Sequence, residues 1–333
     1  MTDPLHLAAG GHPRELDGPG LADPGATDPG ATDPGCGRFR SAVIVVGDLV
    51  TDVLVAHDGP IQIGSDTAAA ITMRGGGQAA NTAAWLAAAG IEATLVAAIG
   101  DDPAGRERMA ELTAAGVTCA VRTHPGIATG SVVVLAGPTE RTMITDRGAS
   151  LLLDPADVTA AITASSARHL HLSGYPLLHE GSRPAGLAAL AAAAAHGMTT
   201  SVDAASAAPL RSVGASAFLT WVRGTDLLLC NADEAAVLAG PGTADRQARE
   251  LTRYAANVVV KQGPDGACWA SAEGASWSVR PDRVLMKDPT GAGDAFAAGL
   301  LAAWRGSGAT PTEAMEAGAA LGARAVARTG ARP

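Results

Sequence analysis

The strongest constraint on this chain is the alternation, from residue 41 onward, of short β-branched runs with Ala-rich stretches of helical length. SAVIVVGDLV at 41–50, ATLVAAIG at 93–100, HLHLSG at 169–174, TTSVDA at 199–204, DLLLCN at 226–231 and NVVVKQG at 257–263 read as strands. Near-continuous apolar runs belong to strands covered on both faces. Their alternation with helices predicts an α/β fold with a central, mostly parallel sheet. Ligands of such folds lie beyond the carboxyl ends of the strands. The polar residues there, Asp48, Asp101, Ser173, Asp203, Asn231 and Lys261, are expected to face one cleft. Segments 52–74 and 130–146 alternate like half-exposed strands. They do not fit the central sheet and are expected to pair as a small lid.

Residues 1–38 differ from the rest. Repeated Asp-Pro-Gly at 22–35 with almost no apolar content predicts a disordered acidic tail, leaving 39–333 for the folded domain. Hydrophobic residues make up 47% of the chain and aromatic ones 3%, so the core is aliphatic and stacking surfaces for single-stranded nucleic acid are not expected. The net charge of −9 argues against nucleic-acid and anionic-membrane partners. Cys36, Cys119, Cys230 and Cys268 lack CxxC or metal-ligand spacing and read as reduced thiols. No apolar run has the length of a membrane span, and the start lacks the pattern of a signal peptide, so a cytoplasmic protein is expected.

Two glycine-rich turns carry most of the chemistry. In DPTGAGDAFAAGLLAAW at 288–304, Gly291, Ala292, Gly293 and Asp294 stand where a turn becomes a helix. Small residues let backbone N–H groups converge at the positive end of the helix dipole, which suits a phosphate, and Asp294 sets a carboxylate beside it. The same pattern is also an ordinary N-cap. RGGGQAANTAA at 74–84 matches G-x-G-x-x-A, but the segment before it reads as a lid strand. An NAD(P)-dependent oxidoreductase is therefore the lesser reading, and backbone approach to a polar ligand beside Asn81 the better one. There is no P-loop, GxSxG elbow, HExxH or protein-kinase motif set. NADE at 231–234 suits either Mg²⁺-bound water at Glu234 or a helix start. KQGPDG at 261–266 suits either a nucleotide's edge or a hairpin turn.

In this order, GG-x-x-x-N, N-x-x-E, D-x-T-GAGD-x-F and a terminal GA-x-P, with GDD-x-x-G at 100–105, make the chain resemble the ribokinase-like, or PfkB, family of carbohydrate kinases. The resemblance runs from about Val43 to Pro333 and implies a three-layer sandwich with a small β-sheet lid. It implies ATP-dependent phosphorylation of a hydroxymethyl group of a free sugar, with a nucleoside as the alternative acceptor. Asp294 matches the general base, and the amides of Ala292, Gly293 and Asp294 match the anion hole that opens at Gly291. Asp52, Gly76, Gly77 and Asn81 match the sugar site, and Glu140 a lid position that reaches the sugar. Asn231, Lys261, Gly263 and Gly266 border ATP, Glu234 is linked to Mg²⁺, and Asp288 to a monovalent cation such as K⁺. Three positions depart from the pattern: Pro289 replaces Thr, Val50 replaces the Asn of ribose-specific members, and Gln78 stands where members that bind sugar phosphates carry Lys. A homodimer through the lid and a non-catalytic sugar- or nucleotide-binding member are the further expectations to weigh.

Overall fold

The β-branched runs pair side by side, as their burial on both faces requires. The computed structural model describes residues 42–137 and 141–333. In chain order, β1 (Ala42–Val46), β2 (Val50–Ala56) and β3 (Ala70–Gly76) lead into α1 (Gln78–Ala88), β4 (Glu92–Gly100), α2 (Pro103–Ala114) and β5 (Thr118–His124). Next come β6 (Thr129–Ala136), β7 (Arg141–Gly148), α3 (Pro155–Thr163), β8 (His169–Ser173), α4 (Tyr175–Leu178), α5 (Arg183–Ala195) and β9 (Thr199–Asp203). They are followed by α6 (Ala207–Val213), α7 (Ala215–Trp221), β10 (Thr225–Asn231), α8 (Ala232–Ala239), α9 (Ala244–Leu251) and β11 (Ala255–Lys261). The chain continues through β12 (Ala267–Ser271), β13 (Ser276–Val279), α10 (Ala292–Leu301) and α11 (Pro311–Val326).

Among the described residues, nine strands form one sheet in the order β13-β12-β11-β10-β9-β8-β1-β4-β5. It is parallel from β5 to β11, and only β12 and β13 run antiparallel at one edge. The period of two sorts its side chains into two cores. Ile44, Val46, Leu170, Leu172, Leu228 and Val258 pack with α3 and α5 to α9. Val43, Val45, Leu95, Leu227, Leu229 and Val259 pack with α1, α2, α10 and α11. That is a three-layer sandwich, and its middle layer places every parallel strand's carboxyl end on one rim.

The chain leaves the large sheet at Gly47, so the apolar run at 41–50 serves two sheets. Beyond it a second, four-stranded sheet forms in the order β3-β2-β6-β7. β2 and β6, from the two segments expected to pair, run parallel at its centre, with Asp52 beside Val132. Its described apolar side chains are unevenly covered: Val50, Val132 and Val134 are buried, whereas Ile71, Met73, Met143 and Ile144 are exposed. The tail at 1–38, Cys36 and Glu140 lie outside the described residues. No described helix is long and apolar enough to cross a membrane.

Candidate active site

The two glycine-rich turns, far apart in sequence, meet at the rim of the large sheet. α10 starts at Gly291, whose φ of +73° is left-handed, and an added Cβ there would lie 2.4 Å from the carbonyl oxygen of Ala331. Glycine is the residue that meets both demands. No side chain caps this helix start. The N–H groups of Gly293 and Asp294 are first-turn donors without intrahelical acceptors, while the Ala292 N–H makes a long contact of 3.4 Å to the Pro289 carbonyl. Asp294, in the first turn, accepts a hydrogen bond from the Asn81 side-chain amide at 2.9 Å across 213 residues of sequence.

The turn at 75–77 is crowded from three sides. An added Cβ on Gly75 would come within 2.1 Å of the Arg332 guanidinium. On Gly76 it would meet the Asp52 carboxylate at 2.2 Å, and on Gly77 the Asp48 carbonyl at 2.5 Å, with φ at +101°. The glycines thus let two side chains and a neighbouring turn close onto the backbone. α1 begins immediately after this turn, and Asn81 lies on its first full turn, buried and facing Asp294. Asp52, Gly76, Gly77, Asn81 and Asp294 therefore form one cluster.

A second chain of polar groups runs along the strand ends. The Ser173 hydroxyl donates to the Gln78 amide oxygen at 2.6 Å, and the Gln78 amide donates to Asp203 at 2.9 Å. The other Asp203 oxygen accepts from the Lys261 ammonium. Lys261 Nζ would be 3.4 Å from a Cβ on Gly293, so its charge stands beside the uncapped start of α10. Gln78 is thus occupied in linking β8 to β9. Asp48, beyond β1, is buried in an ion pair with Arg147 at 3.0 Å, and Arg147 lies over the Tyr175 ring.

The other expected positions have partners of their own. Asp101 is turned away from the cleft: it forms an exposed ion pair with Arg106 at the start of α2, because the chain turns into that helix immediately after β4. Asn231 and Glu234 form a capping box at the start of α8, with both Glu234 oxygens accepting from Asn231. Gly263 and Gly266 close the turn between β11 and β12, with the Gln262 N–H on the Gly266 carbonyl at 2.7 Å. The Asp288 carboxylate accepts from the N–H groups of Thr290 and Gly330, which ties the 288–290 loop to the chain's last turn. Among the described residues no group of three or more His, Cys, Asp or Glu side chains is placed to hold a metal ion.

Sequence reasoning did not single out Arg147 or Arg332. Arg147 falls one residue beyond the segment read as a lid strand, and nothing local marks its partner Asp48, 99 residues away. Arg332 is the variable position of the terminal GA-x-P, and its spacing to Asn81 carries no periodic signal.

Burial, reinforced by Asp203 and Asp48, pushes the Asp294 carboxyl up to about 7, against the opposing pull of the Asn81 hydrogen bond and Lys261. Burial likewise raises Glu234 to about 7, with Asp203 adding to it. Burial works against the Lys261 ammonium, but Asp203 and Glu234 override it and hold Lys261 above the usual lysine range. The cluster therefore combines a carboxylate that can accept a proton near neutrality, a fixed cation and a helix end open to an anion. That combination suits proton removal from a hydroxyl beside a phosphate.

The description "pfkB family carbohydrate kinase" fits residues 40–333. The chain is 32% identical over 277 residues to an ATP-dependent ribose-1-phosphate kinase of Halopiger xanaduensis, covering 78% of this chain and 82% of that one. It is 29% identical over 260 residues to a 2-dehydro-3-deoxygluconokinase of Thermoproteus tenax, covering 75% and 78%. Among solved structures, an adenosine kinase from Sinorhizobium meliloti shares the fold with a TM-score of 0.80 at 24% identity, over 88% of this chain and 96% of that one.

Proposed function

The chain belongs to the pfkB family of carbohydrate kinases, and from that premise we propose that it transfers the γ-phosphoryl group of ATP to the hydroxymethyl group of a free sugar, with Asp294 as general base. One observation carries this reading: the amide of Asn81, on α1 just after the glycine-rich turn, donates to the Asp294 carboxylate at the uncapped start of α10. Asp52, Gly76, Gly77 and Asn81 bind the sugar, and Glu140 is proposed to reach it from the lid. Asp294 takes the proton of the attacking hydroxyl, and a carboxylate raised to about 7 is matched to that task near neutral pH. The amides of Ala292, Gly293 and Asp294, opening at Gly291, hold the charge of the phosphoryl oxygens without reorganising. Closure of the four-stranded sheet over the sugar excludes water from the transfer.

ATP with Mg²⁺ supplies the phosphoryl group and neutralises its charge. The residues fit the nucleotide: the start of α10 has no side-chain cap, and Lys261, Gly263 and Gly266 border the same rim beside Asn231. They fit Mg²⁺ through water. Glu234 is acidic and beside Asp203, but its oxygens are engaged by Asn231, so it would hold the ion only through water. Asp288 is proposed to border a K⁺ site, since it braces the loop that leads into α10.

The substrate of the Halopiger relative favours a second reading, in which the acceptor is a sugar 1-phosphate. Gln78, bound to Ser173 and Asp203, brings no positive charge to such a phosphate. A nucleoside is the third class to compare. A coupled ATP-consumption assay over free sugars, sugar 1-phosphates and nucleosides, with and without K⁺, decides among them. With the best acceptor, Asp294→Asn is expected to lower kcat by about 10²–10⁴-fold. A variant with unchanged kcat would remove Asp294 from its role. The reading is of a cytoplasmic enzyme, in keeping with free thiols at Cys119, Cys230 and Cys268. A homodimer through the exposed Ile71, Met73, Met143 and Ile144 completes it, and sedimentation velocity of an Ile71→Asp, Met73→Asp variant tests that part.

A further inference from the structure

We propose that Arg332 is a positioning residue for phosphoryl transfer: it fixes the side-chain amide of Asn81, and through it the carboxylate of Asp294. This rests on the reading of Asp294 as the base. Arg332 Nε donates to the Asn81 side-chain oxygen at 3.1 Å, and the Asn81 amide nitrogen donates to Asp294 at 2.9 Å. A side-chain amide presents an acceptor on one side and donors on the other. If Asn81 were flipped, its NH₂ would face the guanidinium and its oxygen would face the carboxylate, so both bonds would become repulsions. Asn81 is 4% exposed, so water cannot rescue the flipped state. Arg332 and Asp294 together therefore dictate one orientation, and removing the arginine leaves the amide held from one side only.

The arginine is itself held for this task. Its Nη2 donates to the Gly76 carbonyl at 2.8 Å, and Nη1 pairs with Glu111 on α2 at 3.3 Å. The chain around it is pinned as well. The Trp85 indole donates to the Ala331 carbonyl at 2.9 Å, and Arg74 donates to the Thr329 carbonyl at 2.9 Å. The guanidinium fills the space over Gly75 that a side chain would occupy, which gives that glycine a role in positioning the base. A planar fork that serves three acceptors in different directions is what arginine offers and lysine does not.

The test reads kcat, KM and the acid limb of kcat/KM against pH, together with thermal melting. Asp294 is faced by Asp48 beyond β1, Asp203 on β9, Lys261 on β11 and Asn81 on α1. Arg332 is faced by Glu111 and Arg108 on α2, Asp52 on β2 and Asp48. The Asn81 hydrogen bond favours the ionised carboxylate, so loosening it raises the acid limb. Arg332→Ala and the charge-preserving Arg332→Lys are both expected to lower kcat/KM at least tenfold and to move the limb upward. In an Asn81→Ala background neither is expected to move it further. Gly75→Ala, which keeps the arginine but displaces it, is expected to act in the same direction and serves if Arg332→Ala folds poorly.

An unmoved limb in both arginine variants would overturn the proposal, as would a limb restored by lysine, which would show that charge alone acts. Full additivity with Asn81→Ala would also overturn it. Failure of the base reading is seen separately, as an Asp294→Asn enzyme with undiminished kcat.

Discussion

The turns at 75–77 and 291–293 look alike in sequence, since each places small residues before an Ala-rich helix, yet the space around them is used in opposite ways. At 75–77 every glycine is closed upon from within the protein, by Arg332, Asp52 and the Asp48 carbonyl. At 291–293 only the first glycine is closed upon, by Ala331, while Gly293 has just the Lys261 ammonium at 3.4 Å. Neither helix start carries a side-chain cap. The first turn is glycine-rich because protein groups crowd it throughout, whereas the second keeps space at Gly293, where the transferring phosphate is proposed to lie. Gly-rich composition before a helix therefore does not by itself identify a ligand site.

The largest expected effect tests the open turn. Gly293→Asp places a carboxylate beside Lys261 and the first-turn amides, where the transferring phosphate is proposed to lie. Phosphorylation is expected to fall by about 10²–10³-fold, the range for losing one preorganised donor, with melting unchanged or raised because an acid suits a helix start. Equal activity in the variant would undo the contrast between the turns. The filled turn responds in stability. Gly77→Ala combines a left-handed φ with an overlap at 2.5 Å, and each contributes about 1–3 kcal/mol of destabilisation, read as a lower midpoint in urea. Gly293→Ala, with room for the methyl group, is expected to stay within about 0.5–1 kcal/mol of the parent, the glycine-to-alanine range where backbone permits.

A further outcome concerns pH. Because burial places the Asp294 carboxyl at about 7, kcat/KM is expected to be full above that value and to fall roughly tenfold per pH unit below it. The same carboxyl also affects folding itself. The Asp294 pKa is raised above that of an unfolded carboxyl, so its contribution is most favourable at low pH and is lost as pH rises through about 7. Asp294→Asn is therefore expected to melt above the parent at pH 8, with the gap shrinking toward pH 4. A gap independent of pH would show that the carboxylate is not desolvated in the folded state.

The β-branched runs were enough to read the parallel sheet, because burial on both faces leaves no polar alternation to confuse with a helix. The two segments that broke this pattern were also readable as a separate small sheet. The glycine-rich motifs marked Asn81 and Asp294 and implied their roles through the family resemblance. Asp101 misled, since a polar residue at a strand end is indistinguishable in sequence from the first residue of the turn into α2. Gln78 was readable only as an uncharged replacement, and its bonds to Ser173 and Asp203 give it a task in joining strand ends.

The sequence by itself determined the layers, the rim where ligands belong and the two motifs that meet there, because these depend on periodicity and local backbone demands. Tertiary structure alone decided that Asp203 holds Lys261 beside α10, that Arg147 neutralises Asp48, and that Arg332 reaches back across 251 residues to Asn81. Those pairings form only once the sheet brings strand ends within hydrogen-bonding range, and no local spacing along the chain records a distance that folding creates.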